Sequence, residues 1–232
     1  MTRRVTIGWP DPAPFAGARR ADGGSLRLLA VSDDREPALE HAINRERLGP
    51  VDLIVGCGDL ESDYLAFLGD AFCAPLVYVR GNHDHGAAWD AHERDLPEPL
   101  PDGAVRHEEG LPLVGFSWPS RAGGARPGES AAWTQVARLG RRLLRPPAPL
   151  IVLSHVPPRG AGDVDADPYH VGFEAYRWLA KRLQPSLWLH GHTPVAGVDS
   201  WRMQFGATTC LNVTGAVLVE LVPESRKGVR EA

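Results

Sequence analysis

Leu76-Val77-Tyr78-Val79-Arg80-Gly81-Asn82-His83-Asp84 is the stretch that decides the fold. Four apolar residues, β-branched or large, are too few for a helix and read as a buried strand. The run stops at glycine and passes directly into an amide, an imidazole and a carboxylate. The same format recurs outward along the chain. Leu26 to Val31 ends in Ser32-Asp33-Asp34, and Val51 to Gly56 ends in Gly58-Asp59. Leu150 to Leu153 ends in Ser154-His155, and Ser186 to Leu189 ends in His190-Gly191-His192. Helical segments separate the early strands: Glu36 to Leu48, with Pro37 in its first turn and Gly49-Pro50 at its end, then Ser62 through Phe67. Alternating strands and helices predict an α/β domain. In such sheets the ligand site lies beyond the carboxyl ends of the strands.

The flanks are less regular. Residues 1–24, with three prolines, Gly23-Gly24 and an arginine cluster, read as an irregular lead-in packed through Trp9 and Phe15. Ala104 to Glu109 and Leu111 to Ser117 read as a strand pair. Glu129 to Leu144 reads as an amphipathic helix with Trp133, Val136, Ala137, Gly140 and Leu144 on one stripe and Arg138, Arg141, Arg142 and Arg145 largely outside it. A long loop from Val156 to Gly172 precedes a helix from Phe173 to Leu183. Met203 to Leu221 reads as two closing strands, and residues 223–232 as a frayed tail. Residues 25–222 are thus expected to form one domain.

Composition narrows the function. The 232 residues are 43% hydrophobic and 23% charged, with a net charge of -4. That supports one sizeable core and gives no basic field for nucleic acid or a membrane surface. Cys57, Cys73 and Cys210 form no CxxC spacing, so a reducing, cytoplasmic setting is expected. No apolar run reaches the ~18 residues of a membrane span. Oligomeric state is not legible.

A single Asp or His at a turn signifies little. Here five strand ends carry Asp33, Asp59, Asn82-His83, His155 and His192 in order, and carboxylates gathered with imidazoles at one sheet edge need a cation or substrate to compensate them. Oxygen donors followed by imidazoles suit a divalent Mn, Zn, Fe or Co better than Ca.

These blocks resemble the ordered motifs of the calcineurin-like metallophosphoesterase family: D-x-H, G-D, G-N-H-[DE], a lone H, then G-H-x-H. The match runs from about Leu28 to Val219. The resemblance implies a four-layer α/β/β/α sandwich with mixed sheets and two metals over the strand ends. It implies that Asp59 bridges the metals, that Asn82, His155 and His192 complete the second site, and that Asp33 binds the first. His83 would stand off the metals as proton donor or transition-state stabiliser. The substrate would be a small phosphomonoester or phosphodiester.

Two departures fall on the first site. D-x-H is Asp33-Asp34-Arg35, and G-H-x-H is Gly191-His192-Thr193-Pro194. One tightly bound metal, with two as the upper bound, is therefore expected. If the strand persists, Arg35 lies on the face of Asp33. It then either replaces part of the lost metal's charge and grips phosphate, or merely pairs with Asp33 in a decayed site. The second alternative fits a non-catalytic phosphate- or nucleotide-binding protein. In the Val156–Gly172 loop, Arg159 and His170 are candidates to meet substrate. Asp163, Asp165, Asp167 and Glu174 have calcium-loop spacing, but Pro168 occupies the position that needs glycine.

Overall fold

The computed structural model describes residues 2–16, 24–119, 128–144, 149–164, 166–195, 197 and 200–224. One sheet has the order β1-β11-β2-β3-β4, from Arg3–Trp9, Gly215–Pro223, Leu26–Ser32, Leu53–Gly56 and Leu76–Tyr78. The other runs β5-β6-β7-β8-β10-β9, from Val105–Glu108, Leu111–Phe116, Ile151–Ser154, Leu187–His190, Thr208–Asn212 and Arg202–Phe205. Both sheets are mixed: β2, β3 and β4 are mutually parallel, as are β6, β7, β8 and β10, while β11 is antiparallel to β2 and β9 to β10.

Three apolar clusters define four layers. Leu28, Ala30, Val55 and Val217 of the first sheet meet Leu113, Leu153, Leu189 and Leu211 of the second. The outer face of the first sheet is covered by Leu39 and by helices α1 (Ala42–Leu48), α2 (Ser62–Phe72) and α3 (Ala87–Glu93). The outer face of the second carries α4 (Glu129–Ala137) and α5 (Glu174–Leu183). Strands buried on both faces read as near-continuous apolar runs, which is why β3 and β7, and β2 apart from Arg27, stand out in the sequence.

Several expectations are corrected. Residues 3–9 are not irregular: they form β1, paired parallel with β11. Val5, Ile7 and Trp9 are buried and alternate with outward residues, a period of two that the neighbouring arginines, Gly8 and prolines obscure. The remainder of the lead-in, residues 17–23, lies outside the described residues. Pro223 belongs to β11, while residues 225–232 of the expected tail also lie outside. The closing segment forms three strands rather than two. The Glu36–Leu48 helix is a 3-10 turn, Pro37–Glu40, followed by α1.

The predicted Glu129–Leu144 helix breaks. α4 stops at Ala137, and a 3-10 turn, Gly140–Leu144, follows at Gly140 with φ 51°. Its buried face is Ala132, Gln135, Val136 and Leu139, so Trp133, Ala137, Gly140 and Leu144 are exposed. Gln135 anchors that face, donating to Ser117 O at 2.7 Å and accepting from the Tyr176 hydroxyl at 2.6 Å. Among the described residues no helix is long and apolar enough to cross a membrane.

Candidate metal centre

The carboxyl ends of β2, β3, β4, β7 and β8 meet at one edge of the sandwich. Asp33, Asp59 and His192 all leave their strands with positive φ, at 58°, 57° and 66°. Such a left-handed kink costs free energy for non-glycine residues and turns each side chain off its strand axis. The motif glycines make room for these kinks. A Cβ at Gly81 would run into the Asp59 carboxylate, and one at Gly191 into Ser32 Oγ and Asp33 Oδ2.

Four donor atoms converge. Asn82 Oδ1 lies 3.0 Å, Asp59 Oδ2 3.1 Å and His192 Nδ1 3.2 Å from His155 Nε2. The outer ring nitrogens identify the lone pairs that face inward. His155 Nδ1 contacts the Cys57 carbonyl at 2.9 Å and His192 Nε2 the Tyr169 carbonyl at 2.8 Å. A carbonyl can only accept, so each outer nitrogen carries the proton and presents the other as a bare donor. Lone-pair donors gathered about 3 Å from a shared neighbour match the edges of a coordination shell with metal–ligand distances of about 2.0–2.2 Å. The donor set of two oxygens and two imidazoles fits a divalent transition metal.

Without a metal, a proton answers the same attraction. Burial pushes the His155 imidazole down, but the bond and charge of Asp59, with Asp33 behind it, carry it up to about 9. Burial raises the Asp59 carboxyl and His155 more than reverses that, leaving it below the usual range. His192 is lowered to about 4 by burial and then by the His155 charge, which keeps its Nδ1 unprotonated. Burial raises Asp84 to about 6 even though its Oδ2 accepts from Gly81 N at 2.6 Å and Asp59 N at 3.0 Å. Asp84 thereby braces the turn that presents Asp59.

A pH dependence follows for the metal-free protein. Because the folded His155 value lies above the ordinary 6.5, its contribution is fully present below pH 6.5 and fades as pH rises through about 9. The melting temperature in chelator should fall across that window, read by calorimetry. Divalent metal must displace this proton, so its affinity should rise over the same range. A flat affinity profile between pH 6.5 and 9 would contradict the assignment.

Asp33 belongs to the group with Asp59 and His155, whose donor atoms lie within 4.8 Å of one another. Its carboxylate is already engaged: it accepts from His192 N at 3.1 and 3.0 Å and from Thr214 Oγ1 at 3.2 Å. Burial raises its pKa. Arg35 is not beside Asp33. The strand ends at Ser32 and Asp33 turns left-handed, so the two-residue alternation does not carry over. Its guanidinium bonds Glu61 at 3.0 Å and Asp63 at 2.8 Å and lies 5.1 Å from the Tyr64 ring centroid. Pro194 offers no donor.

His83 donates its backbone N–H to Asp59 Oδ1 at 2.7 Å, while its ring, 78% exposed, stands 4.0 Å from Asp59 Oδ2. It faces an open cleft of about 940 Å³ that also reaches Asp33, Asn82, His170 and His192. His170 lines that cleft but bonds Asp167 within its own loop at 2.6 Å. Arg159 lies instead on a neighbouring hollow of about 310 Å³ and pairs with Glu174 at 3.7 Å. Of the calcium-like carboxylates, Asp163 is spent on loop closure, accepting from Gly160 N and Gly172 N. Asp165 lies outside the described residues.

Sequence reasoning missed Trp118, whose ring centroid lies 5.3 Å from His192 and 6.1 Å from His155. It also missed Thr214, the Tyr169 carbonyl and His92, which lines the cleft. No signal in one sequence marks a lone hydroxyl or a carbonyl. The Trp118 position, just past the end of β6, was the one available hint.

No curated protein matches the chain. TT1561 of Thermus thermophilus is similar in fold, with 20% identity, 82% of this chain and 90% of that one covered, and a TM-score of 0.53. A second crystal structure, 16% identical, covers 82% of this chain and 91% of its own with a TM-score of 0.56. The model of the calcineurin-like phosphoesterase family matches residues 32–196, the span that begins at the end of β2 and runs just past His192. With that span, the two-sheet sandwich and the strand-end donors in hand, the chain belongs to the calcineurin-like phosphoesterase family.

Proposed function

We propose that the chain is a metal-dependent phosphoesterase that hydrolyses a small phosphomonoester or phosphodiester. The observation that carries this reading is the convergence of Asp59 Oδ2, Asn82 Oδ1 and His192 Nδ1 on His155 Nε2, beside an exposed His83 in an open cleft. Asp59, Asn82, His155 and His192 would hold one divalent cation, with Mn, Zn, Fe and Co the candidates. Such an ion supplies Lewis acidity toward phosphoryl oxygens and makes hydroxide available near neutral pH.

The chain's own residues do the rest. The Cys57 and Tyr169 carbonyls hold both imidazoles in the donor tautomer, and the Trp118 ring packs 5.3 Å from that of His192. His83 is tied to the centre by its backbone N–H, and its exposed ring, 4.0 Å from Asp59 Oδ2, reaches into the cleft to hold a proton for the leaving oxygen. Asp84 fixes the turn between the two. Arg35 takes no part in gripping the phosphate, because its guanidinium is bound to Glu61 and Asp63.

The test is turnover of aryl phosphomonoesters and phosphodiesters with Mn, Zn, Co or Mg. His83→Ala is expected to lower kcat by about 10²–10³-fold while metal content stays constant. Metal and inorganic phosphate bound without any turnover would replace the enzyme reading by the non-catalytic one. Turnover unchanged in His83→Ala would trace the activity to a contaminant.

A further inference from the structure

The Arg35 substitution leaves a ligand position empty of imidazole but creates something else. Arg35 spends Nε on Glu61 Oε2 and Nη2 on Asp63 Oδ1, so one cation holds two carboxylates side by side. Among the described residues, Glu61 Oε1 and Asp63 Oδ2 have no hydrogen-bond partner. The edge therefore keeps one net negative charge and two acceptor oxygens. Both carboxylates line the cleft that contains Asp59, Asn82, His83 and His192.

The same cleft is lined by apolar residues, Ala88, Trp89 and Ala91 of α3, Leu60 from the turn before α2 and Trp118 from just past β6, with the imidazoles of His85 and His92 among them. At about 940 Å³ the cleft is far larger than a phosphate group needs and falls in the range that holds a drug-sized ligand. Phosphate at the centre would leave most of it for the organic arm of the ester.

Building on the phosphoester reading above, we infer that the cleft selects an ester whose arm has an apolar body, packed on Ala88, Ala91 and Trp118, and a cationic or hydrogen-donating head set against Glu61 and Asp63. Arg35 is a positioning residue for this edge. An anionic head meets like charge there and is disfavoured.

The inference is tested by calorimetric binding of four phosphonates to the Mn-loaded protein: methylphosphonate, benzylphosphonate, and benzylphosphonates carrying a 4-aminomethyl or a 4-carboxy group. Burying the ring should tighten benzylphosphonate over methylphosphonate about tenfold. The exposed carboxylates should favour the ammonium over the carboxylate head by about three- to tenfold. In Ala91→Trp the benzyl-to-methyl ratio should collapse toward one. In the double variant Glu61→Gln with Asp63→Asn, the ammonium-to-carboxylate ratio should do the same. Equal affinity for benzyl- and methylphosphonate, or a tighter carboxylate than ammonium head, would overturn the inference while leaving the phosphoester reading standing. Failure of all four to bind the metal-loaded protein would remove both.

Discussion

Replacing Asp59 with alanine is expected to empty the metal centre and bring phosphoester hydrolysis down to background. Asp59 is the carboxylate through which the donors are joined. Its Oδ2 faces His155 at 3.1 Å, and its Oδ1 accepts the His83 backbone N–H at 2.7 Å. Removing it takes away the one donor with a full charge, leaving two neutral imidazoles and an amide. It also frees the turn that carries Asn82 and His83. The loss reaches stability as well, since His155 has no solvent exposure and is held protonated in the metal-free state mainly by this carboxylate. Breaking a buried pair by deleting one partner costs about 3–5 kcal/mol, and here the lower end applies because His155 can shed its proton. Calorimetry in chelator at pH 7 should show a marked drop in melting temperature, and elemental analysis less than a tenth of the wild-type metal. Asp59→Asn keeps the shape and should recover much of the stability without the metal. Recovery of metal in the alanine variant would show that Asp59 is not the joining ligand.

The strands that carry this centre are legible in the sequence for a physical reason. β2, β3, β4 and β7 lie between a helix layer and the opposite sheet, so their runs are apolar, interrupted only by Arg27 in β2, and each ends abruptly in residues that a buried strand would not tolerate. β1 is edge-placed and half-buried, and its alternating Val5, Ile7 and Trp9 are diluted by arginines and Gly8. α3 is only seven residues long and begins after Gly86, too short to show a helical period. The α4 stripe fails because the helix buries Ala132, Gln135 and Val136 rather than Trp133 and Ala137, and because it ends at Ala137, which leaves Gly140 and Leu144 on a separate 3-10 turn. Within the site, motif residues were readable because their side chains are polar donors set directly after apolar strands. Arg35 was placed wrongly because the alternation rule assumes a strand, and the left-handed Asp33 ends it. Thr214 and Trp118 support Asp33 and His192 across long sequence separations, which only folding reveals.

The second large effect concerns metal number: elemental analysis of the unmodified protein should return one tightly held divalent ion per chain. The centre formed by Asp59, Asn82, His155 and His192 has four donors without help. At the first position, Arg35 has turned to Glu61 and Asp63, Pro194 has no donor atom, and both oxygens of Asp33 already accept from His192 N or Thr214 Oγ1. A second ion there would find only Asp33 and a share of Asp59, and would compete for Asp33 with the neutral donors that anchor the His192 turn. In this arrangement Asp33 acts on His192 more than on a metal, so Asp33→Asn, whose amide oxygen can still accept from His192 N, should keep one ion and most of the turnover. Asp33→Ala should loosen His192 and lower metal affinity by about tenfold or more, as loss of a ligand's supporting bond does. Arg35→His combined with Pro194→His restores two imidazoles and should raise the content toward two ions with faster turnover, at the cost of freeing Glu61 and Asp63. Two ions in the unmodified protein, or Asp33→Asn as damaging as Asp33→Ala, would mean that Asp33 gives up its bonds to His192 and serves a first metal after all.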